Sequence, residues 1–482
     1  MVILGGAIAA GQTAPVTLAS VADAMGARNL NTIEYSGSGY SFAFQQAPGP
    51  GEPWPLFIVD AYSMRIDYST ASMRFEFTRA QGERPPRGGG GQPIAGNPRS
   101  VQLVSGRAAW SEAAGGRVQP NPGAVRDRLR QLWMTPHGVV KAAIAANAAV
   151  SGRVISFTLE GLPITVQIGA NQLVDRITYL IDSPVLGDVP VEIVYSDYRD
   201  YRGVKFPMRI IEKTDGYLTW DIKVADAKPN ASVTVTAPAD LPPAPAHAAG
   251  PAAPAPPTPA ARQIAPGVWH LIVSNYASML VEFRDFLLMF EGPLDDARTA
   301  AANAWARQTV PGKPLRFVVN THAHFDHAGG LRAYAADGIT IITHEMNRSY
   351  YEQVWDRPRT LRPDKLALQP RAPIWETMTE KKIVTDGTRT LELYQLKGNG
   401  HNPYLLIGYL PSEKIVLYGD MYNPPAGSDP RDPARTNEYA ENLYDNIVNR
   451  LKLDVTWLAP IHGLPVPFDN LKKAIGLLPL TQ

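Results

Sequence analysis

A chain of 482 residues, 45% of them hydrophobic, exceeds the usual size of one domain and can bury more than one core. Its 46 basic and 45 acidic side chains nearly cancel and form no long run of one sign, which removes the electrostatic basis for holding nucleic acid or an anionic membrane surface. With no cysteine there are no disulfides, thiolate ligands or thiol nucleophiles, and no apolar run approaches membrane-spanning length.

In chain order, Val2 to Ala10 followed by Gly11-Gln12-Thr13-Ala14 is similar to the apolar and small-residue end of a secretory signal, without its positive start. Residues 1–25 are read as a signal remnant or a disordered terminus. The expected location is therefore periplasmic or secreted, with the cytoplasm as the alternative. Residues 26–236 read as a mainly antiparallel β domain with a few helices. Residues 63–68 and 72–77 alternate apolar and polar side chains, as half-buried strands do. Similar segments recur at 154–159, 164–168, 173–180, 191–198, 204–211 and 218–224. Helices are expected at 124–133 and 138–149, with Pro136 between them. The run Arg84-Pro85-Pro86-Arg87-Gly88-Gly89-Gly90-Gly91 is expected to be a mobile loop inside this domain. The stretch Tyr195 to Ile210 resembles the late strands of lipoprotein-carrier-type half-barrels. That resemblance implies a curved sheet around helices, with room for an apolar ligand such as an acyl chain. A docking or stabilising β domain without a ligand is the plainer reading.

Residues 237–262 are rich in Ala and Pro, as in Pro251-Ala252-Ala253-Pro254, and are expected to form an extended spacer between two domains. Residues 263–482 change rhythm. A hairpin is expected from 279–283 and 286–290, then a helix at 296–308, a strand ending at Asn320, a helix at 328–336, a strand at 339–343 and a helix from Glu345. Strands follow at 390–395, 404–410 and 415–419. A helix at 439–453 then carries Tyr439, Leu443, Ile447 and Leu451 on one face, before a strand at 456–459. Strands alternating with helices, together with hairpins, imply an α/β domain of two mixed sheets covered by helices.

The chemistry is concentrated in Thr321-His322-Ala323-His324-Phe325-Asp326-His327-Ala328-Gly329-Gly330. Three imidazoles and a carboxylate at a strand-to-helix turn offer nitrogen and oxygen donors on a stiff backbone, as Zn²⁺ or a similar borderline cation requires. His322 and His324, two apart, can turn toward one ion, and Asp326 and His327 can reach a second. Gly329 and Gly330 let the chain pack closely as it enters the next helix. Downstream, His401 lies in a tight turn, and Asp420 and His462 each follow an apolar strand. All three thus have the setting of the first cluster.

These motifs, in this order, resemble those of the metallo-β-lactamase superfamily over residues 263–482. The resemblance implies an αββα sandwich with a dinuclear site at one sheet edge. His322, His324 and His401 would bind one metal, Asp326, His327 and His462 the other, and Asp420 would bridge them. Glu291 stands where members commonly carry an Asp that supports the ligand turn. An Asp at the bridging position is typical of glyoxalase II, lactonase and phosphodiesterase branches, whereas true β-lactamases usually have Cys or Ser there. The implied cofactor is two Zn²⁺ ions, with iron or manganese as alternatives. The implied activity is hydrolysis of a small-molecule ester, lactone, thioester or amide by a metal-bridging hydroxide, with Asp326 orienting the nucleophile or accepting a proton from it. A mononuclear iron oxygenase of sulfur compounds, a β-lactamase and a phosphodiesterase are the competing readings. Tyr276 beside Asn275, Asn402, Tyr404, and Tyr422 beside Asn423 are candidate substrate contacts. His344 reads as a supporting or structural residue. His137, His247 and His270 have no partner pattern.

Overall fold

The computed structural model describes residues 15–242, 257–427 and 429–480. The leader-like segment Val2 to Ala10, His247 and most of the Ala/Pro spacer lie outside the described residues. Among the described residues, no helix is long and apolar enough to cross a membrane.

Strict alternation, clearest in Leu162–Ile168 where every second residue is buried, commits one face of each strand in the first domain to a core. Thirteen strands join in one sheet. Thr32–Phe42 pairs antiparallel with both Leu56–Asp67 and Tyr217–Pro229, so the first and last strands close the two meanders onto each other. Three helices fill the inner side. Leu132 of Val125–Trp133 packs with Met64, Phe75 and Val104 of one meander. Val139, Val140 and Ala143 of Pro136–Ala145 pack with Ile155, Val166 and Ile193 of the other. The third helix corrects the expectation of a signal remnant or disorder throughout 1–25. Leu18–Met25 is capped by Thr17, and its Val21, Ala22 and Met25 are buried in that second cluster. Five strands of this domain escaped the sequence reading: Thr32–Phe42, Arg99–Ser105, Ala108–Glu112, Val118–Pro120 and Ala149–Ser151. The serine, glycine and alanine content of the first three blurs the alternation.

The second domain has four layers, helices on two sheets. Seven strands from Ala260–Ala265 to Trp375–Met378 form the first sheet in sequence order, parallel from Leu287–Phe290 onward. Six strands from Lys381–Thr385 to Val466–Pro467 form the second. Between them, Met279, Leu288, Phe290 and Val319 meet Leu391, Leu393, Leu406 and Leu417. Helices Asp296–Thr309, Leu331–Ala336 and Glu345–Val354 cover the outer face of the first sheet, and Glu438–Asp445 and Phe468–Ala474 that of the second. The helix expected over 439–453 ends at Asp445 and continues only as a wider turn, Asn446–Arg450.

The two domains are in direct contact. Trp54, Val185, Leu186 and Val189 of the first domain lie in the same buried cluster as Leu331, Tyr334, Tyr351 and Val354 of the second. The buried Arg359 donates to the carbonyls of Ser183 (3.2 Å), Pro184 (2.9 Å) and Val185 (2.8 Å). Arg357 contacts both carboxylate oxygens of Asp215 at 2.9 Å. Partial burial would raise the Asp188 carboxyl, but hydrogen bonds from Thr360 and Leu361 hold it below its usual range. The proline- and glycine-rich run 84–91 also belongs to this interface rather than to a loop within the first domain. Gly88 N–H donates to Gly400 O at 2.9 Å, and the Tyr439 hydroxyl donates to Gly88 O at 3.0 Å.

Removing the guanidinium in Arg359→Ala would leave three carbonyls at the interface without their donor. The expected loss is roughly 3 kcal/mol or more of unfolding free energy. Arg359→Lys should recover little of it, because an ammonium does not reproduce the planar fork. Denaturant midpoints of the two variants against the parent read both effects.

Candidate metal centre

The strand Leu315–Val319 ends at Asn320, whose buried amide folds the following residues back on themselves. Its Nδ2 donates to the carbonyls of His322 (2.8 Å) and His327 (3.3 Å), and its Oδ1 accepts from Tyr351 (2.7 Å) and Thr343 (3.1 Å). A single helical turn, Phe325–Ala328, carries Asp326 and His327. The chain then passes Gly329 and Gly330, where a Cβ would stand 1.8 Å from Leu294 O and 2.2 Å from Thr299 Oγ1. Only glycine fits this approach. Sequence reasoning did not single out Asn320 or Tyr351, since an amide after an apolar strand carries no chemical signature.

The seven side chains singled out by the motifs converge. His322, His324, His401 and Asp420 offer ligand atoms within 4.8 Å of one another, as do Asp326, His327, Asp420 and His462. Asp420 is common to both groups. Its Oδ2 lies 3.4 Å from His322 Nε2, 3.1 Å from His401 Nε2 and 3.0 Å from His327 Nε2, while Oδ1 lies 2.6 Å from His462 Nε2. The imidazoles crowd each other too: His322 and His401 approach Nε2 to Nε2 at 3.1 Å, and His327 and His462 at 3.2 Å.

Burial depresses His322 and His324 well below the usual imidazole range, and the neighbouring imidazoles add to the effect. His327 is buried as well, yet the carboxylates of Asp420, Asp326 and Glu291 outweigh burial and raise it. Burial would raise Asp420, but His327 and His462 hold it well below the usual carboxylate range. The oxygens of Asp420 have no partner other than the imidazoles around them, and Nδ1 of His324 is buried without any partner. Polar atoms buried in this way cost about 1–3 kcal/mol each. A donor set of imidazole nitrogen and carboxylate oxygen, with atoms left open inward, fits a borderline divalent metal ion.

Glu291 supports this arrangement directly. Its Oε1 accepts from Thr321 N–H at 2.5 Å, and its Oε2 accepts from His327 Nδ1, which fixes the tautomer that leaves Nε2 facing inward. Glu291 and Asp420 both have left-handed backbones, with φ of 79° and 41°. Tyr276 stands at the rim, its ring 5.1 Å from that of His462 and perpendicular in sense (72°). Its carbonyl is held by the buried Arg298 at 2.8 Å. Burial, with Asp326 and Asp420 nearby, pushes the Tyr276 hydroxyl up to about 12.

The other candidate contacts divide. Asn402 adjoins His401, and its Oδ1 accepts from Tyr404 N–H at 2.9 Å. Tyr404 packs its ring 4.9 Å from that of His344. Tyr422 corrects the expectation of a substrate contact. After the left-handed turn at Asp420 the chain swings outward, and Tyr422 is buried under the helices of the second sheet, donating to Pro430 O at 3.2 Å. His344 caps a helix, its Nδ1 accepting from Met346 N–H at 3.2 Å. His137 and His270 each bond a backbone carbonyl at 3.0 Å, of Met25 and Pro460.

Residues 286–462 match the model of the metallo-beta-lactamase superfamily. Among solved structures, the chain is similar to the metallo-beta-lactamase FIM-1 from Pseudomonas aeruginosa in its mono-zinc form, at 20% identity over 45% of this chain and 94% of that one, with a TM-score of 0.35. A metallo-beta-lactamase from Hirschia baltica matches at 20% identity over 45% and 95%, with a TM-score of 0.33. One from Pontibacter korlensis matches at 17% identity over 45% and 96%, with a TM-score of 0.35. None of the curated proteins matches the chain.

Glu291→Ala removes both the anchor of the Thr321 turn and the acceptor of His327. It is expected to weaken metal binding about 10- to 100-fold. Chelator competition against the parent protein measures the change.

Proposed function

We propose, from its metallo-beta-lactamase-fold domain, that the protein is a dinuclear zinc-dependent hydrolase acting on an ester, lactone, thioester or amide carbonyl. The observation that carries this reading is the placement of Asp420, one carboxylate shared by two groups of donors. His322, His324 and His401 would hold one ion, Asp326, His327 and His462 the other. Bound there, the ions supply Lewis acidity and lower the pKa of coordinated water from about 15.7 to about 7, so that hydroxide is available at neutral pH.

The chain's own residues set orientation and access. His462 is the most open of the seven, with 20% of its side chain exposed, whereas His322, His327 and His401 are fully buried. Substrate therefore approaches from the His462 side, where Tyr276 stands. With its hydroxyl protonated across the neutral range, Tyr276 can donate to the oxygen that gains charge as the carbonyl is attacked. Asp326 directs Oδ2 toward His327 (3.7 Å) and His462 (3.5 Å), the side on which it would meet the ion and orient the attacking water.

Two features favour this reading over its competitors. His327 and His462 complete a second donor group, which a mononuclear iron oxygenase does not need. The shared Asp420 departs from the Cys or Ser usual in true β-lactamases.

Purified protein is expected to carry about two zinc equivalents per chain, to lose activity on chelation and to regain it with zinc. In a panel of ester, lactone, thioester, phosphodiester and β-lactam substrates, turnover should fall among the first three, with β-lactam turnover weak or absent. Activity confined to phosphodiesters would overturn the carbonyl chemistry. Tyr276→Phe should lower kcat on the order of 100-fold at unchanged zinc content. Its pH–rate profile should keep its shape from about pH 6 to 9, because a hydroxyl at about 12 does not titrate there.

A further inference from the structure

One dipeptide of the first domain reaches into the metal centre. Gln46 and Ala47 lie between the strands Thr32–Phe42 and Leu56–Asp67. Gln46 Nε2 donates to Asp326 Oδ1 at 3.0 Å, and Nε2 of His324 donates to Ala47 O at 2.7 Å. Gln46, Asp326 and His324 are 7%, 5% and 2% exposed. Each contact occupies the outer atom of a candidate ligand and leaves the inner one free. With Nε2 engaged, Nδ1 of His324 is the nitrogen left for the group of His322, His401 and Asp420. With Oδ1 engaged, Asp326 turns Oδ2 toward His327 and His462.

The dipeptide is itself clamped. Gly89 N–H donates to Gln46 O at 2.9 Å, and Gly88 beside it is bonded to Gly400, next to His401. Gly88 has φ +58°, and a Cβ there would lie 2.5 Å from Gln46 O. Gln45, on the other side, donates to Ser183 Oγ. The loop thus sits between the metal centre and the rest of the first domain, with its amide and carbonyl aimed inward.

We propose that Gln46 and Ala47 are positioning residues of the metal centre, contributed across the domain boundary, and that Gln46 sets the affinity of the donor group containing Asp326. The inference rests on the reading of the two groups as metal sites. Outer hydrogen-bond partners fix ligand tautomer and orientation, and their loss costs about 10- to 100-fold in metal affinity.

The test uses full-length Gln46→Ala, titrated with zinc against a chelator and with cobalt by its d–d absorption. One of two ions should bind about 10- to 100-fold more weakly, the other within about twofold of the parent, at an unchanged melting temperature of the metal-free protein. Gln46→Met keeps the side-chain length without the amide, and should show the same selective loss if the alanine variant folds poorly. Parent-like binding of both ions by both variants would overturn the proposal. So would equal weakening of the two ions, which marks a packing residue. A parent protein that binds no metal at all would instead remove the proposed function beneath it.

Discussion

Imidazole nitrogens 3.1 Å and 3.2 Å apart, arranged around one buried carboxylate, are the constraint to which the rest of the second domain answers. At such distances one nitrogen of each pair can donate to the other, but two bare lone pairs repel, as do two protonated rings. Low-dielectric surroundings magnify either repulsion. The pull of Asp420, Asp326 and Glu291 on His327 offsets only part of it, since His322 and His324 are driven the other way by the same burial. On the proposed reading, a cation in each donor group would turn these inward-facing nitrogens into ligands.

Holding donors in that position falls to the sheets. Leu287–Phe290, Leu406–Leu410 and Ile415–Tyr418 are buried at every residue, and each lies in the cluster where the two sheets meet. The strain is local to the turns that follow them, where Glu291 and Asp420 take left-handed backbones. Such conformations cost of order 1–3 kcal/mol each for a side chain other than glycine. Burial of the adjoining apolar strands is what over-determines them. The chemistry therefore sits at strand ends for a mechanical reason: the backbone is stiffest just before it turns.

That same mechanics explains what could be read from the sequence. An apolar run followed by His or Asp is visible without coordinates, so the seven converging side chains, the αββα layers and the supporting Glu291 were legible. The antiparallel character of the first domain was legible from its period-two strands. Its first strand was not, because Tyr35-Ser36-Gly37-Ser38-Gly39-Tyr40 hides its pattern in small residues. The helix Leu18–Met25 was missed because the leader-like reading of Val2 to Ala14 was carried on to residue 25. Tyr422 misled for a different reason, since proximity in sequence to Asp420 says nothing of direction after a left-handed turn. Asn320 and Gln46 left no trace because an amide is recognised by its partners, and the partner of Gln46 is 280 positions away.

The fused domains give that distant contact thermodynamic weight. Docking is held by Arg359 on three carbonyls, by Arg357 on Asp215 and by the shared cluster around Trp54 and Leu186. If Gln46 and Ala47 orient metal ligands only in the docked state, docking and metal affinity are linked. Linkage is reciprocal, so whatever factor docking contributes to metal affinity, metal binding returns to docking. The first domain then needs no ligand of its own to matter for chemistry. Its cavity lined by Tyr62, Tyr195 and Trp220 can stay a feature of the antiparallel sheet, while its loops act as the outer wall of the candidate metal centre.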